Sequence, residues 1–374
     1  MPSLALRNLL HDRMRFVVTL TGIVFSVVLS AIQLGLFVGF TRATSDVITH
    51  AGADVWVMSR GVGNLENGVA FPEQRAYQVQ ALDGVQAVQK HLVAFGQWKR
   101  PDGAEEGCLL IGVDLAGAMG LPWNLVEGSA AALAEPDGVI VDELYKSKLG
   151  VSRIGETFEI RGHRVRVVGF TRGIRTFTTA PPVFVSFKRA QDYAGIRADQ
   201  ALYLLVKAAP GTDPDALAAR ITGRVPDVTA LSTRAWGKKQ QDYWMFGTGA
   251  GITVLIAAGL GLLVGVVVVA QTIYAATVDH IREYGTLKAM GATNGYIYRV
   301  IVRQAAISGL IGYGVAMLVA AAVSRASLAG TTAIILPTSL SLGLFVLTLG
   351  MCVSASMVSI NKVTRIDPAM VFKG

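Results

Sequence analysis

Four long stretches of this chain contain no Asp, Glu, Lys or Arg, and they constrain its fold more than any other feature. They cover residues 16–41, 243–278, 304–324 and 326–361 of the 374. A helix needs about 20 apolar residues, at about 1.5 Å per residue, to cross the hydrocarbon core of a bilayer. Apolar helix segments buried in soluble proteins are usually shorter, with about 10–14 residues. The pattern therefore predicts four transmembrane helices.

The first of these stretches could instead be a secretory signal. Its 26 uncharged residues exceed the apolar region of about 7–15 residues in a cleavable signal peptide. No small-residue cleavage site follows it convincingly. We expect the first helix to stay in the chain as a membrane anchor.

Basic residues are concentrated in the segments that lie on one side of the predicted spans. Of the net charge of +8, +6 falls in residues 1–15, 279–303 and 361–374, and +1 in residues 42–242. Short segments rich in Lys and Arg are retained in the cytoplasm. We therefore predict a cytoplasmic N-terminal segment (1–15), a cytoplasmic segment between spans two and three (279–303) and a cytoplasmic tail (362–374), so that both termini are cytoplasmic.

Residues 42–242 are then predicted to form a large exported domain. Their 23 basic and 22 acidic residues nearly cancel, as in a soluble folded domain. Nucleic-acid binding needs a concentrated basic surface, so the sequence argues against it. Cys108 lies in this domain and Cys352 in the last span, so the two cannot pair within one chain.

Strand patterns dominate the exported domain. Residues 54–59 (DVWVMS) and 108–114 (CLLIGVD) read as strands, with a helical stretch at 72–82 between them. Residues 157–170 alternate apolar and basic side chains around Gly162, which predicts a hairpin.

The end of the exported domain shows a strand, a helix and a second strand in residues 201–231. Asp213 or Asp215 can cap the helix, and Gly223 can close it. The sequence predicts an α+β module built from both ends of the exported segment, with a strand-rich subdomain at about 116–199 inserted between its halves.

No motif for catalysis is present in the sequence. It contains no metal-binding spacing of Cys or His, no serine-nucleophile motif and no phosphate-binding GxxxxGK[ST] loop. The adjacent acids Glu105/Glu106 and Asp142/Glu143 are predicted to be solvated or capping residues. We predict no catalytic residue, no bound metal and no cofactor in this chain, and ATP binding by a separate subunit.

Residues 281–304, "IREYGTLKAMGATNGYIYRVIVRQ", form a charged segment between the apolar stretches of the second and third spans. Apolar side chains recur there every three residues, Gly291 is suited to end a helix, and Thr293 or Asn294 to start the next. The pattern predicts a short cytoplasmic helix and a tight turn. Taken alone, it fits an interfacial helix that only anchors the loop as well as it fits a helix that binds a partner.

Three parts of the chain resemble one family. "REYGTLKAMGAT" resembles the cytoplasmic motif of MacB/FtsX-type (type VII) ABC transporter permeases, and "NKVTRIDPAMVFKG" resembles their C-terminal ending, with Asp367 and Pro368 in place. Residues 138–170 are similar to the extracytoplasmic part of these permeases, and residues 4–39 look most like the DevC branch. MacB itself has an ATPase domain ahead of its first helix, whereas 15 residues precede it here. We therefore expect the ATPase to be a separate chain.

The resemblance implies a membrane α-helical fold with one helix, a large extracytoplasmic α+β domain, and three more helices, in a bacterial inner membrane. It also implies that the cytoplasmic segment is a coupling helix docking in a cleft of an ABC ATPase dimer, which holds ATP and Mg²⁺. The residues of this coupling helix are Arg282, Glu283, Tyr284, Gly285, Leu287, Lys288, Ala289, Met290, Gly291 and Ala292.

Glycines spaced by four occur in the first two spans. They are Gly35 and Gly39 in the first, and Gly261 and Gly265 in the second. Such spacing permits close approach of helices, although glycine is frequent in membrane helices generally. Together with the dimeric pattern of the family, it predicts a homodimer that packs through these helices.

The predicted function is an ATP-driven export permease that works by mechanotransmission. None of the four stretches has an acidic residue, a basic residue or a histidine to line a polar pathway; Gln33, Gln271 and scattered Ser and Thr are polar candidates. Movement is expected to reach the exported domain only through the first and second spans. A periplasmic adaptor and an outer-membrane channel are the expected further partners. The alternatives are an FtsX-like regulator of a periplasmic hydrolase, which transports nothing, and a lipoprotein-extraction permease.

Overall fold

Four long helices and one mixed β-sheet form most of the computed structural model, which describes residues 13–279, 286, 290 and 292–364. Four of the described helices are long and apolar enough to cross a membrane. The α+β domain lies between the first and second of them along the chain, which confirms the predicted fold class. The helices are α1 Arg13–His50, α2 Arg75–Gln80, α3 Lys146–Leu149, α4 Phe187–Ala194, α5 Pro214–Arg224, α6 Thr233–Asp242, α7 Ala250–Asp279, α8 Asn294–Ser327 and α9 Thr338–Thr364.

Twelve strands are described, and short 3₁₀ turns at Ala130–Ala134 and Glu143–Tyr145 connect some of them. The strands are β1 Val55–Ser59, β2 Phe71–Pro72, β3 Val85–Lys99, β4 Glu105–Val113, β5 Leu125–Gly128, β6 Gly138–Asp142, β7 Thr157–Ile160, β8 His163–Thr171, β9 Pro182–Ser186, β10 Gln200–Ala201, β11 Tyr203–Ala208 and β12 Val228–Ser232.

The long helices differ in their bounds from the charge-free stretches. Helix α1 continues to His50, and a π-helix at Tyr243–Gly247 precedes α7. Helix α9 begins at Thr338, directly after Pro337, although the charge-free stretch begins at 326. A lack of charge reports apolar surroundings and not backbone conformation, so it cannot locate a turn. The start of α8 at Asn294 is as predicted.

The described chain divides into two units. The membrane unit comprises residues 13–38, 252–327 and 333–364 as far as they are described, and the inserted domain comprises residues 39–251 and 328–332. The inserted domain therefore includes five residues from the connection between α8 and α9.

One ten-stranded sheet forms the inserted domain, in the order β12-β1-β11-β3-β4-β9-β6-β8-β5, with β7 paired to β3 and β8. Strand β1 lies antiparallel between β11 and β12, so both ends of the domain's sequence meet in one module, as predicted. The predicted strand-rich segment 116–199 contributes β5 to β9, which extend the same sheet.

The predicted hairpin is formed by β7 and β8. Its two-residue turn has Arg161 at φ 47° and Gly162 at φ 82°, which suits the right-handed twist of the two strands. Helix α5 is capped by Asp213, whose carboxylate accepts from Ala216 N at 3.0 Å. The prediction that Gly223 closes this helix is wrong, because α5 continues to Arg224 and Val225 follows in extended conformation.

The core of the inserted domain is built around fully buried tryptophans. Trp56, Trp98 and Trp236 have no exposed surface. Trp98 also donates its indole N–H to the carbonyl of Leu149 at 3.0 Å, which fixes the short helix α3 against the sheet. The inserted domain thus has a hydrophobic core of its own, and its connecting segments pack against that core.

Candidate functional site

Most of the predicted coupling helix lies outside the described residues. Ten of the predicted site residues are not described: Arg282, Glu283, Tyr284, Gly285, Leu287, Lys288, Ala289 and Gly291 of the coupling helix, and Asp367 and Pro368 of the C-terminal motif. Of the rest, Met290 donates its backbone N–H to Thr286 O at 3.0 Å, and its side chain is 72% exposed. Ala292 is half-buried. The docking role of this segment stays a prediction.

The glycines of the second span pack against the first span of the same chain. A Cβ on Gly261 would come within 2.8 Å of Leu29, and one on Gly265 would overlap Ser26. Ser26 in turn donates its hydroxyl to the carbonyl of Gly261 at 3.1 Å. These glycines therefore allow close contact between α1 and α7 within one chain.

The glycines of the first span are also buried. Gly35 accepts a hydrogen bond from Ile335 N at 3.1 Å, and a Cβ there would approach Ile334 closely. Gly39 is buried as well. The homodimer stays a prediction, since the contacts of Gly35, Gly261 and Gly265 lie within the chain.

The paired acids Asp142 and Glu143 have structural contacts. Asp142 is fully buried and accepts hydrogen bonds from Thr171 Oγ1 and the backbone N–H groups of residues 144, 173 and 174, at 2.9–3.2 Å. Glu143 accepts from Arg172 Nε at 2.8 Å, and this bond holds the pKa of Glu143 below its usual value. Asp142 therefore organises the chain that follows β8, and Glu143 forms a surface ion pair.

Two other reactive side chains are enclosed in the sheet. Burial lowers the pKa of His91 to about 3, so its ring is neutral, and it raises the pKa of the Cys108 thiol to about 12. Both side chains are at most 1% exposed. Across the described part of the chain, no group of His, Cys, Asp and Glu could hold a metal ion.

The first attachment of the inserted domain to a span is the end of α1. Val47 and Ile48 are buried in the domain core. Ser45 accepts a hydrogen bond from Gln241 Nε2 at 2.9 Å, and Gly237 lets α6 approach it closely. The last turns of α1 are thus fixed against α6.

The second attachment runs through α6 and the π-helix. The amide of Gln240 accepts from Leu65 N at 2.8 Å and donates to the carboxylate of Glu66 at 2.9 Å. Trp244 Nε1 also donates to Glu66 at 3.2 Å. Burial raises the pKa of Glu66, because the hydrogen bonds only partly offset the loss of water around its charge.

A third contact region was missed by sequence reasoning. Residues 172–181, which we name the bridging loop, connect β8 to β9. Phe177 in this loop lies 5.6 Å from the ring of Phe40 on α1 and 4.7 Å from that of Trp244. Arg175 donates to the carbonyls of Leu328 and Gly330. Only the aromatic residues at the edge of the second charge-free stretch could have signalled such a junction, since Tyr and Trp are common at membrane interfaces.

The candidate functional site is therefore the set of junctions at which the inserted domain meets its connecting segments. It holds helix ends, an aromatic cluster and hydrogen bonds to backbone carbonyls. Such an arrangement can transmit force and position helices; the described part of it shows no arrangement of groups for bond chemistry.

Solved structures show weak likenesses to about half of the chain. The periplasmic region of MacB from Actinobacillus actinomycetemcomitans aligns with 49% of this chain and 90% of its own length, at 13% identity and a TM-score of 0.35. The extracellular domain of the ABC-type transporter YknZ from Gram-positive bacteria aligns with 48% of this chain and 98% of its own, at 15% identity and a TM-score of 0.35.

Relatives and family patterns cover much more of the chain. An uncharacterized ABC transporter permease of Mycobacterium tuberculosis is 24% identical over 99% of both chains, and one of Mycobacterium bovis is 23% identical over the same shares. The pattern of the MacB-like periplasmic core domain matches residues 16–224, more than half of the chain, and that of the FtsX-like permease C-terminal region matches residues 255–368. This chain therefore belongs to the MacB/FtsX family of ABC transporter permeases.

Proposed function

We propose that this chain is the permease subunit of an ATP-driven exporter and that it relays movement from a cytoplasmic ATPase to a periplasmic domain. The observation that carries the proposal is helix α1. It is unbroken from Arg13 to His50, so one hydrogen-bonded rod includes both a span and the buried anchor Val47–Ile48 in the inserted domain. A helix is stiff along its axis, so a displacement of one end is transmitted to the other end.

A relay fits the spans better than a polar conduit does. The four charge-free stretches hold no Asp, Glu, Lys, Arg or His side chain. Pathways for polar solutes through the bilayer are usually marked by charged residues that face a cavity. The close contacts of Gly261 and Gly265 with α1 also fill space that a conduit would need.

The proposed partner in the cytoplasm is an ABC ATPase dimer, which binds ATP and Mg²⁺. The sequence contains no phosphate-binding loop, and the relatives from Mycobacterium are named ABC transporter permeases. The coupling helix would dock through Leu287 and Met290, with Arg282, Glu283 and Lys288 as a charged rim. The described part of this helix agrees with such a role in one respect, since Met290 is 72% exposed.

The experiment that tests this partner is co-purification of the ATPase with a Leu287→Asp permease. Asp in place of an apolar anchor should abolish binding, because a buried charge without a partner is costly. Thr293→Asp is the matched control, since Thr293 is exposed and outside the proposed contact. Wild-type yield of the ATPase with Leu287→Asp would refute the docking proposal.

We further propose that the chain lies in the inner membrane with both termini in the cytoplasm. The concentration of basic charge in residues 1–15, 279–303 and 361–374 supports this orientation. Cysteines introduced at Ser59 or Thr212 should react with an impermeant thiol reagent in spheroplasts, while one at Thr286 should not. The buried Cys108 and Cys352 give a low background. Labelling of position 286 from outside would overturn the orientation.

On the periplasmic side, the proposal includes a homodimer of this chain, an adaptor protein and an outer-membrane channel. Its support is the resemblance to the DevC branch and the size of the inserted domain, which takes up residues 39–251. Pull-down of a periplasmic adaptor by the full complex, and its loss when the inserted domain is deleted, is the expected result. Capture of a cell-wall hydrolase instead would favour a regulator.

A further inference from the structure

The bridging loop is held firmly at its start. Asp142, which is fully buried, accepts hydrogen bonds from Gly173 N at 3.2 Å and Ile174 N at 2.9 Å. Ile174 itself has no exposed surface. The residue that follows, Arg175, therefore leaves the domain core from a fixed point.

The bridging loop is also held at its end. Thr176 donates its hydroxyl to the carbonyl of Ala180 at 2.8 Å, and Thr179 N donates to Thr176 O at 3.1 Å. Lys148 reaches from α3 and donates to Thr179 O at 3.0 Å. Residues 175–178 are thus presented from a pre-formed turn and need little ordering to make contacts.

The guanidinium of Arg175 binds the connection between α8 and α9. Its Nη2 donates to Leu328 O at 2.7 Å and its Nε to Gly330 O at 3.1 Å, while Nη1 donates to Gly173 O of its own loop at 3.2 Å. A planar group with five N–H donors can bind two carbonyls of a turn at once, and an ammonium group cannot reproduce that fork.

The connection that Arg175 binds is tied to the ends of the helices it joins. Within the membrane unit, Ile334 N donates to Ser327 Oγ at 2.9 Å, and Ser324 Oγ donates to Ile334 O at 2.7 Å. These bonds close the chain on both sides of residues 328–332 onto the end of α8. A shift of that helix end would therefore displace the carbonyls of Leu328 and Gly330.

This contact corrects one sequence expectation. The sequence alone predicts that movement reaches the exported domain only through the first and second spans, because these flank it in the chain. The contact of Arg175 with residues 328 and 330 adds a connection from the third and fourth helices, which are remote in sequence.

We propose that Arg175 is a positioning residue that fastens the connection between α8 and α9 to the inserted domain, so that all four spans act on that domain. Phe177, next to it in the bridging loop, contacts Phe40 and Trp244. The bridging loop thereby contacts α1, the π-helix and the connection between α8 and α9. This inference rests on the relay proposed above.

The test uses the full-length permease in nanodiscs with its ATPase, and a spin label on a cysteine replacing Ala329. Ala329 is exposed and lies between the two carbonyls that Arg175 binds, and its side chain takes no part in the contact. The spectrum of the label reports how firmly residues 328–330 are held. Variants Arg175→Ala, Arg175→Lys and Arg172→Ala are compared with the parent.

The expected result is loss of the immobilised spectral component in Arg175→Ala and partial loss in Arg175→Lys. Arg172→Ala is the matched control and should keep the parent spectrum, because Arg172 pairs with Glu143 and not with the connection. An unchanged spectrum in Arg175→Ala would overturn the proposal. The hydrogen bonds of the Arg175 side chain go to the carbonyls of Gly173, Leu328 and Gly330 and not to the buried core. We therefore expect Arg175→Ala to have the thermal unfolding midpoint of the parent, and this measurement shows that the variant has folded.

A second arm separates this inference from the proposed function. ATP with vanadate should change the spectrum of a label at Ala329 and that of a label at Lys238 on α6. If Arg175→Ala abolishes the response at 329 but not at 238, the coupling role of Arg175 is supported. An equal response at 329 in Arg175→Ala and parent refutes that role. If neither label responds to nucleotide in the parent, the relay itself is refuted, whatever the mobility at 329.

Discussion

The two attachments of the inserted domain to its flanking spans differ in backbone continuity. On the N-terminal side, α1 runs for 38 residues without a break. On the C-terminal side, α6 passes into a π-helix at Tyr243–Gly247, and Gly249 then takes a left-handed conformation with φ 78° before α7 begins. One attachment is therefore a rod, and the other contains a break in the helix, which we name the joint.

The joint has local contacts that define its resting geometry. Thr248 N donates to Tyr243 O at 3.0 Å, and the Thr248 hydroxyl donates to Trp244 O at 2.6 Å. Met245 is buried, and its backbone lies against Gly251 so closely that a Cβ there would come within 2.6 Å of Met245 O. π-Helical turns are rare in proteins, and those that occur are often found at functional sites.

The largest effect is expected from breaking the rod. Arg42→Pro removes a helix hydrogen bond and places a ring against the preceding turn of α1, at a cost of about 3 kcal/mol. Arg42 is exposed, so the loss is one of helix continuity and not of packing. We expect a lower midpoint of thermal unfolding and loss of ATP-dependent export in the reconstituted complex.

Two controls make this prediction specific. Arg42→Ala keeps the helix and should behave as the parent. Ala250→Pro places the same ring in the first turn of α7, directly after the existing break; proline is tolerated in a first turn, although here it removes the 3.4 Å hydrogen bond from Ala250 N to Thr248 Oγ1. If Ala250→Pro were as damaging as Arg42→Pro, the distinction between rod and joint would be lost.

A smaller effect is expected where the two spans touch. Gly265→Ala would overlap Ser26 of α1, and over-packing of this kind costs about 1–3 kcal/mol. Gly259→Ala on the same helix meets no atom within 4 Å and should be neutral or stabilising, by roughly 0.5–1 kcal/mol from helix propensity. The measurement is the thermal unfolding midpoint of each variant in detergent. A loss of stability in Gly259→Ala instead would mean that another chain covers that position, as a homodimer interface would.

The smallest effect is expected at Glu66, which braces the joint through Gln240 and Trp244. Burial raises its pKa in the folded state above 4.5, so the folded protein binds this proton more tightly than the unfolded chain does. Its contribution to stability is therefore greatest below pH 4.5 and is lost as the pH rises through the raised pKa. Glu66→Gln should remove this part of the pH dependence of stability. The changed hydrogen bonds should alter the free energy of unfolding by about 1 kcal/mol or less.

Thermal unfolding of parent and Glu66→Gln across that pH range checks the prediction. Glu73→Gln is a suitable comparison, because Glu73 is ion-paired with Lys90 and Lys188 in another part of the domain. Identical pH profiles for the parent and Glu66→Gln would show that Glu66 is not the group that titrates.

The sequence predicts the architecture well because its main signals are local. A long apolar stretch without charge can satisfy its backbone in a bilayer only as a helix, and an Asp-Pro pair or an Arg-Gly turn marks a boundary within a few residues. Thus the four helices, the cap at Asp213 and the hairpin at Gly162 are confirmed.

The junctions could not be predicted in this way. Arg175 and the carbonyls of Leu328 and Gly330 lie more than 150 positions apart in sequence. Glu66 and Trp244 are similarly remote. Backbone carbonyls occur at every residue, so no pattern in one sequence marks those that a distant arginine binds. The break at Gly249 is hidden for a different reason, since the residues around it lack charge, as does the span that follows.

The proposed relay can be tested by hydrogen–deuterium exchange of the assembled permease–ATPase complex, with and without ATP, using an ATPase that binds but does not hydrolyse nucleotide. We expect ATP to change exchange in the joint, residues 243–249, while the part of the rod that lies in the inserted domain, residues 39–50, stays equally protected in both states. No change in the joint, or an equal change in the rod, would contradict the claim that this permease relays ATPase movement through one rigid and one jointed attachment.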